Sequence, residues 1–173
     1  NIVSTYILVM DRHSSPFGTR HRPPQQEAYV NLALSYVKRL SELNDLLRPH
    51  GLSEPQYNVL RILRGAGQQG LACQGISERM LTRLPDITRL LDRLEKSGLV
   101  ERRHSLEDRR RVDVTLREEG KELLSRLDQQ VFQLHSRQFQ NLDPMELTEL
   151  NRLLEKSLID PDDEMNRRKS RIE

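Results

Sequence analysis

Between residues 79 and 111 the chain carries ten Lys/Arg against six Asp/Glu, a local net of +4 in a protein that nets only +2 overall. Positive charge concentrated in this way can neutralise a polyanion, and its arrangement narrows which one. Asp86, Thr88, Arg89, Asp92, Arg93 and Lys96 fall on one side of a helical pattern whose other side is Ile87, Leu90, Leu91 and Leu94, spaced i, i+3, i+4 and i+7. The polar run HSLEDRR follows at 104–110 and places Asp108, Arg109 and Arg110 on a projecting tip. Guanidinium groups on a half-exposed helix can bond base edges, and those on a projecting tip can meet phosphates. The pattern implies a winged helix gripping DNA. An Arg run alone is usually a solvated surface; its attachment to the preceding helix carries the inference. Within that helix, Arg93 with Asp86 and Lys96 with Asp92 are alternative surface pairs.

Other chemistries find less support. His13, His21, His50, His104 and His135 form no pair at metal-ligand spacing and have no cysteine partner. The acidic run at 160–164 lacks the glycine that a calcium loop needs. GAGQQG at 65–70 spells a dinucleotide-binding glycine pattern, but a helix precedes it where a strand is required, so it reads as helix stop and turn. No nucleophile elbow, paired catalytic carboxylates or Walker sequence is present, so neither an enzyme nor a cofactor is expected. Cys73 invites a thiol redox-sensor reading, against which stands the commoner role of a buried small apolar residue.

The elements that must position the basic segment are legible around it. Pro85 suits a first helical turn, and Gly98 followed by Leu99 reads as a left-handed helix stop, giving a recognition helix over 84–96 of about four turns. Thr82 is the nearest hydroxyl able to cap it. Segments 99–103 and 111–116 read as two strands, with Val112 and Val114 facing one way and Asp113 and Thr115 the other. Upstream, Ser53 caps a helix that contributes Tyr57, Val59, Leu60, Ile62 and Leu63 to a core; Leu71 to Cys73 forms a short strand and Ile76 to Leu81 a short helix. The flanking segments 25–49 and 118–159 carry long apolar stripes. Tyr29, Leu32, Ala33, Tyr36, Val37, Leu40, Leu43 and Leu47 mark the first. Leu123, Leu124, Leu127, Val131, Leu134 and Phe139, then Leu147, Leu150, Leu153, Leu154 and Leu158, mark the second. Together they exceed what one small core covers, and a homodimer is the economical explanation.

The fold class expected is therefore mainly α with a small β-hairpin wing, a winged helix-turn-helix domain framed by N- and C-terminal dimerisation helices. Its parts are a flexible arm over 1–24, which contains Met10 as a candidate start, a regulator domain over 25–159 with its DNA-binding lobe at about 53–117, and a charged tail over 160–173. At 173 residues, with 35% hydrophobic and 31% charged residues, the chain fits one soluble domain, and its single cysteine fits a reducing, cytoplasmic address. The run IVSTYILVM is too short to span a bilayer, so no membrane partner is expected.

QYNVLRILRG at 56–65, ISERM at 76–80, PDITRLLDRLEKSGLVERR at 85–103 and EDRRRVDVTLREEG at 107–120 resemble the MarR family of bacterial transcription regulators. The resemblance covers roughly 25–159. It implies a dimeric winged helix-turn-helix repressor of a near-palindromic operator, released by a small ligand, with aromatic or lipophilic acids as the effector class. It places Asp86, Thr88, Arg89 and Arg93 near base edges or phosphates, and Arg110 in the minor groove with Asp108 holding it. Arg83, Arg103, Arg109 and Arg111 are implied phosphate contacts. Tyr36, Arg48, His50 and Tyr57 could lie near the family's ligand pocket, and each could equally be ordinary packing. Arg117 departs from the family pattern, which has a threonine before the Glu-Glu-Gly that opens the next helix, and so removes a hydroxyl cap. The family's redox-sensing cysteines lie near the first long helix, which Cys73 does not match. The alternative from another class is a winged-helix module that holds a protein, for which an acidic or apolar recognition face would be the signature.

Overall fold

A computed structural model describes residues 23–82, 86–104 and 112–159. Its helices are α1 (Pro24–Leu47), α2 (Glu54–Ala66), α3 (Cys73–Arg79), α4 (Ile87–Lys96), α5 (Glu118–Gln138) and α6 (Pro144–Ser157), with single 3-10 turns at Arg48–His50 and Gly67–Gln69. Strands β1 (Leu71–Ala72), β2 (Val100–His104) and β3 (Val112–Leu116) form an antiparallel sheet in the order β1-β3-β2. This is the expected winged helix-turn-helix order, with a third short strand beside the hairpin. The chain divides into two compact units, residues 1–131 and 132–173.

Local chemistry fixes the element ends in the first unit. Gln56 Oε1 accepts the Ser53 backbone N–H at 2.9 Å, closing the box that starts α2, and Asn44 Oδ1 accepts the Glu54 N–H at 3.2 Å. Those two bonds satisfy donors that a helix start leaves unpaired, and the second ties α1 to α2. At the end of α4, Gly98 takes φ 71°, its N–H reaches Glu95 O at 2.9 Å, and Leu99 N–H reaches Leu94 O at 3.0 Å, so the left-handed stop forms as expected. Gly70 is required for a second reason. It has φ +68°, and a Cβ there would lie 2.4 Å from the Val114 carbonyl oxygen.

Leu47, Val59, Leu60, Leu63, Ile76, Leu91, Leu94, Val114, Leu124 and Leu127 are wholly enclosed and make one core from α1 through the start of α5. Its burial is the main stabilising term, at about 1.5–3 kcal/mol per large side chain relative to exposure. Arg64 and Asp128 add a two-pronged pair between α2 and α5, at 2.8 and 2.9 Å.

Several expectations are corrected. The short helix is Cys73–Arg79 rather than 76–81, because the apolar run at 71–73 splits into a two-residue strand and the first residue of α3. Cys73 is half-buried against the core rather than fully buried. The glycine run, by contrast, ends α2 as expected: the helix runs to Ala66, and Gly67 makes the turn at φ 68°. Strand β3 does not alternate in burial. Asp113 and Thr115 are buried along with Val114 and Leu116, because β3 is the central strand and the Gly67–Gly70 turn lies against it. The residue lacking a hydroxyl, Arg117, leaves α5 with a backbone start: Lys121 N–H bonds to Arg117 O at 3.1 Å, and Arg117 N–H to Leu99 O at 3.0 Å.

In the second unit Asp143 Oδ1 accepts the N–H groups of Met145 and Glu146, and Glu146 Oε2 accepts the Asp143 N–H at 2.9 Å, so α6 begins at a complete capping box. No residue of α6 is buried.

Candidate nucleic-acid interface

Helix α4 has a sharply divided surface. Leu91 and Leu94 are wholly enclosed and Ile87 and Leu90 half-buried, while Thr88, Arg89, Arg93 and Lys96 are exposed. The helix holds ten residues, shorter than the four turns expected. Asp86, not Thr82, is its N-cap: Asp86 Oδ1 accepts the Arg89 backbone N–H at 3.0 Å. The other carboxylate oxygen lies 3.1 Å from Arg89 Nε. Both oxygens of Asp86 are thus engaged at the helix start, and what the pair offers outward is the rest of the Arg89 guanidinium, whose side chain is 80% exposed.

The pairs expected along α4 are replaced by longer-range ones. Asp92 does not pair with Lys96; its carboxylate meets Arg102 Nη2 of β2 at 2.6 Å, while Arg102 Nη1 meets Glu95 at 2.5 Å and the Arg102 backbone N–H bonds the same Glu95 at 3.2 Å. Among the described residues neither Arg93 nor Lys96 forms an ion pair, and both are exposed. Arg102 is the residue that sequence reasoning missed. Its partners lie seven and ten positions upstream in another element, and no helical spacing signals them.

On the wing strands, Arg103 is exposed and pairs with Glu101 at 2.5 Å. Arg103 stands opposite the buried Asp113 in the β2–β3 register. The structure thus brings Asp86, Thr88, Arg89 and Arg93 onto one helix and Arg103 onto the strand that follows it. Arg83, Asp108, Arg109, Arg110 and Arg111 lie outside the described residues.

The four residues expected near a ligand pocket differ in accessibility. Tyr36 is 56% exposed on α1, and Arg48 is exposed and pairs with Asp45 at 2.6 Å. His50 is half-buried. Tyr57 is buried in the core, with Arg61 Nη1 donating to its hydroxyl at 3.0 Å. A cleft of about 930 Å3 in the first unit is lined by none of them. Its walls are the end of α2, the Gly67–Gln69 turn, residues of β2 and β3, and the first turn of α5. Three of its cations are already paired there: Arg64 with Asp128, Arg103 with Glu101 and Lys121 with Glu118. Among the described residues no group of three or more His, Cys, Asp or Glu could hold a metal ion, and no helix is long and apolar enough to cross a membrane.

A compact helical lobe, a recognition-type helix with an enclosed apolar side and an exposed cationic one, and a hairpin directly after it define a winged helix-turn-helix protein. The MarR family model matches residues 52–112. The chain is 30% identical over 143 residues to the HTH-type transcriptional repressor IacR of Pseudomonas putida, a match covering 83% of this chain and 84% of that protein. Over 72 residues it is 49% identical to an uncharacterized HTH-type transcriptional regulator, YfiV, of Bacillus subtilis, spanning 42% of this chain and 44% of that relative. Among solved structures, a MarR transcription factor from Planctomyces limnophilus superposes with a TM-score of 0.61 at 41% identity, covering 79% of this chain and 98% of that one. A mutant MarR from E. coli complexed with operator DNA gives a TM-score of 0.67 at 31% identity, covering 74% and 91%. The chain belongs to the MarR family of DNA-binding transcription regulators. The relatives it matches are named as transcription regulators and repressors.

Proposed function

We propose that this protein is a homodimeric repressor whose α4 helices enter successive major grooves of a near-palindromic operator, and that a small effector releases it. The observation that carries the reading is the exposed, cationic side of α4, set against an apolar side on which Leu91 and Leu94 are fully enclosed. Arg89 and Thr88 are the base-reading candidates, with Arg93 beside them and Asp86 orienting Arg89; Arg83 and Arg103 are phosphate contacts. On the wing, Arg110 enters the minor groove with Asp108 behind it, and Arg109 and Arg111 meet phosphates. The repressor reading draws support from the relative IacR, and the DNA reading from the operator complex of the E. coli MarR.

The dimer reading rests on apolar side chains left exposed. Tyr29, Leu32, Leu34 and Tyr36 stand out on α1, and Met145 and Leu153 on α6. Large apolar groups concentrated on helices in this way are the mark of a surface covered by a partner, here a second copy. Effector control has Tyr36, Arg48, His50 and Tyr57 as its candidate residues and small aromatic or lipophilic acids as its ligand class.

Selection of genomic fragments by the purified protein, followed by footprinting, tests the reading. A protected inverted repeat with half-sites about 34 Å apart is expected for two recognition helices related by a twofold axis. Protection without an inverted repeat, or none on any fragment, would contradict it. A winged-helix module that holds a protein is disfavoured by the absence of an acidic or apolar outer side on α4.

A further inference from the structure

We infer that Arg102 is a positioning residue for duplex binding, holding the carboxylates of Asp92 and Glu95 against β2 so that α4 meets the polyanion without two unneutralised negative charges. The inference rests on the reading of α4 as the DNA-facing helix. Asp92 follows Thr88 by four residues and Arg89 by three, so it stands one turn along the same side of the helix as the base-reading candidates. Glu95 lies three residues further on. Left alone, these two acids would oppose the three cations of α4, Arg89, Arg93 and Lys96, wherever phosphates approach. Arg102 reaches both at once, through Nη2 to Asp92 at 2.6 Å and Nη1 to Glu95 at 2.5 Å. A lysine has a single ammonium and no fork to divide between two carboxylates.

A mere tether between α4 and β2 accounts for the bridge less well. The Gly98–Leu99 turn, the enclosed Leu91, Leu94 and Val100, and the five-residue β2–β3 register already hold these elements together. The bridging carboxylates are partly solvated, with Asp92 45% and Glu95 38% exposed, and such pairs contribute little to stability. What the bridge changes is where negative charge sits and how it is compensated.

The test measures binding of the full-length chain to a fluorescent duplex of arbitrary sequence, about three helical turns long, over a range of salt. Arg102→Met is expected to weaken binding about three- to tenfold at low salt, and less as salt screens the exposed carboxylates. The double variant Asp92→Asn with Glu95→Gln, which also breaks the bridge, is expected to bind at least as tightly as the original protein. The triple variant is expected to recover the loss seen with Arg102→Met. Weakening by the double variant to the level of Arg102→Met would show a tether and overturn the inference, as would a folded triple variant that stays weak. Circular dichroism checks that each chain is folded, and if the triple variant is not, the double variant alone decides. Arg89→Glu separates the two readings. A starting protein that binds no duplex, or an Arg89→Glu variant that binds unchanged, overturns the DNA-facing assignment of α4 and this inference with it. A normal response there with an unrecovered triple variant overturns the role of Arg102 alone.

Discussion

The lobe from α2 through β3 and the helices α1 and α6 use their apolar side chains in different ways. In the lobe most large apolar side chains turn inward: Leu60, Leu63, Ile76, Leu91 and Leu94 have no exposed surface, Leu81 and Val112 are the exceptions, and the outer side of α4 is polar and charged. On the first half of α1, Tyr29 is 69% and Leu32 47% exposed, while Leu47 at its far end is wholly enclosed. Helix α6 buries nothing completely and leaves Met145 82% exposed. A surface that has spent its apolar groups internally and displays cations suits a solvated polyanion. A surface that displays tyrosine and leucine suits the exclusion of water by another protein. One chain thus carries two kinds of recognition surface, and composition alone, which averages them, conceals both.

The largest expected effect breaks the lobe itself. Leu91→Ala removes an enclosed side chain from the helix that presents Arg89, and should lower stability by about 2–5 kcal/mol, read from chemical denaturation followed by circular dichroism. A loss below about 1 kcal/mol would mean that α4 is less firmly seated than its burial indicates. Leu32→Glu sharpens the other side of the comparison. It adds a charge where water is proposed to be excluded, and should shift sedimentation from dimer to monomer, a change on the order of 2–4 kcal/mol in association, with the fold retained. An unmodified protein that sediments as a monomer would contradict the proposed role of α1.

The smallest effect concerns Arg64 and Asp128. The hydrogen bond from Arg64 holds the Asp128 carboxyl below its ordinary value of 3.8, the arginine's charge adding to the effect and partial burial opposing it. Because the folded value is the lower one, the contribution is fully present above the unfolded value and is lost as pH falls through the folded one. Asp128 is 47% exposed, so solvent screening keeps the contribution below about 1 kcal/mol. The stability gap between the original protein and Asp128→Asn should be small at neutral pH and vanish in acid; a gap that widens in acid would reverse the sign.

Much of this architecture was legible in the residues. Ser53 and Pro55 marked the start of α2, Gly98–Leu99 the end of α4, and Pro144 the start of α6, because backbone chemistry at helix ends is local. The leucine stripe of α4 named the side that packs. What escaped was set by tertiary contacts. The strand-or-helix choice at Leu71–Cys73 depended on the pairing of Leu71 with Val114, and the burial of Asp113 and Thr115 on the central place of β3. The cap at Asp86 was local but masked by its reading as a base contact. For Asp92, a lysine four residues away was the obvious partner by spacing, and only the fold brings Arg102 within reach.

The most direct measurement takes the operator recovered by fragment selection and compares Arg89→Ala with the original protein on a panel of single-base-pair substitutions. If α4 reads bases, Arg89→Ala should lose about 1–3 kcal/mol on the intact operator and become indifferent to substitution at the base pair it contacts, with other positions keeping their preferences. An unchanged discrimination profile, whatever the change in overall affinity, would contradict the assignment of the exposed side of α4 as the reading surface.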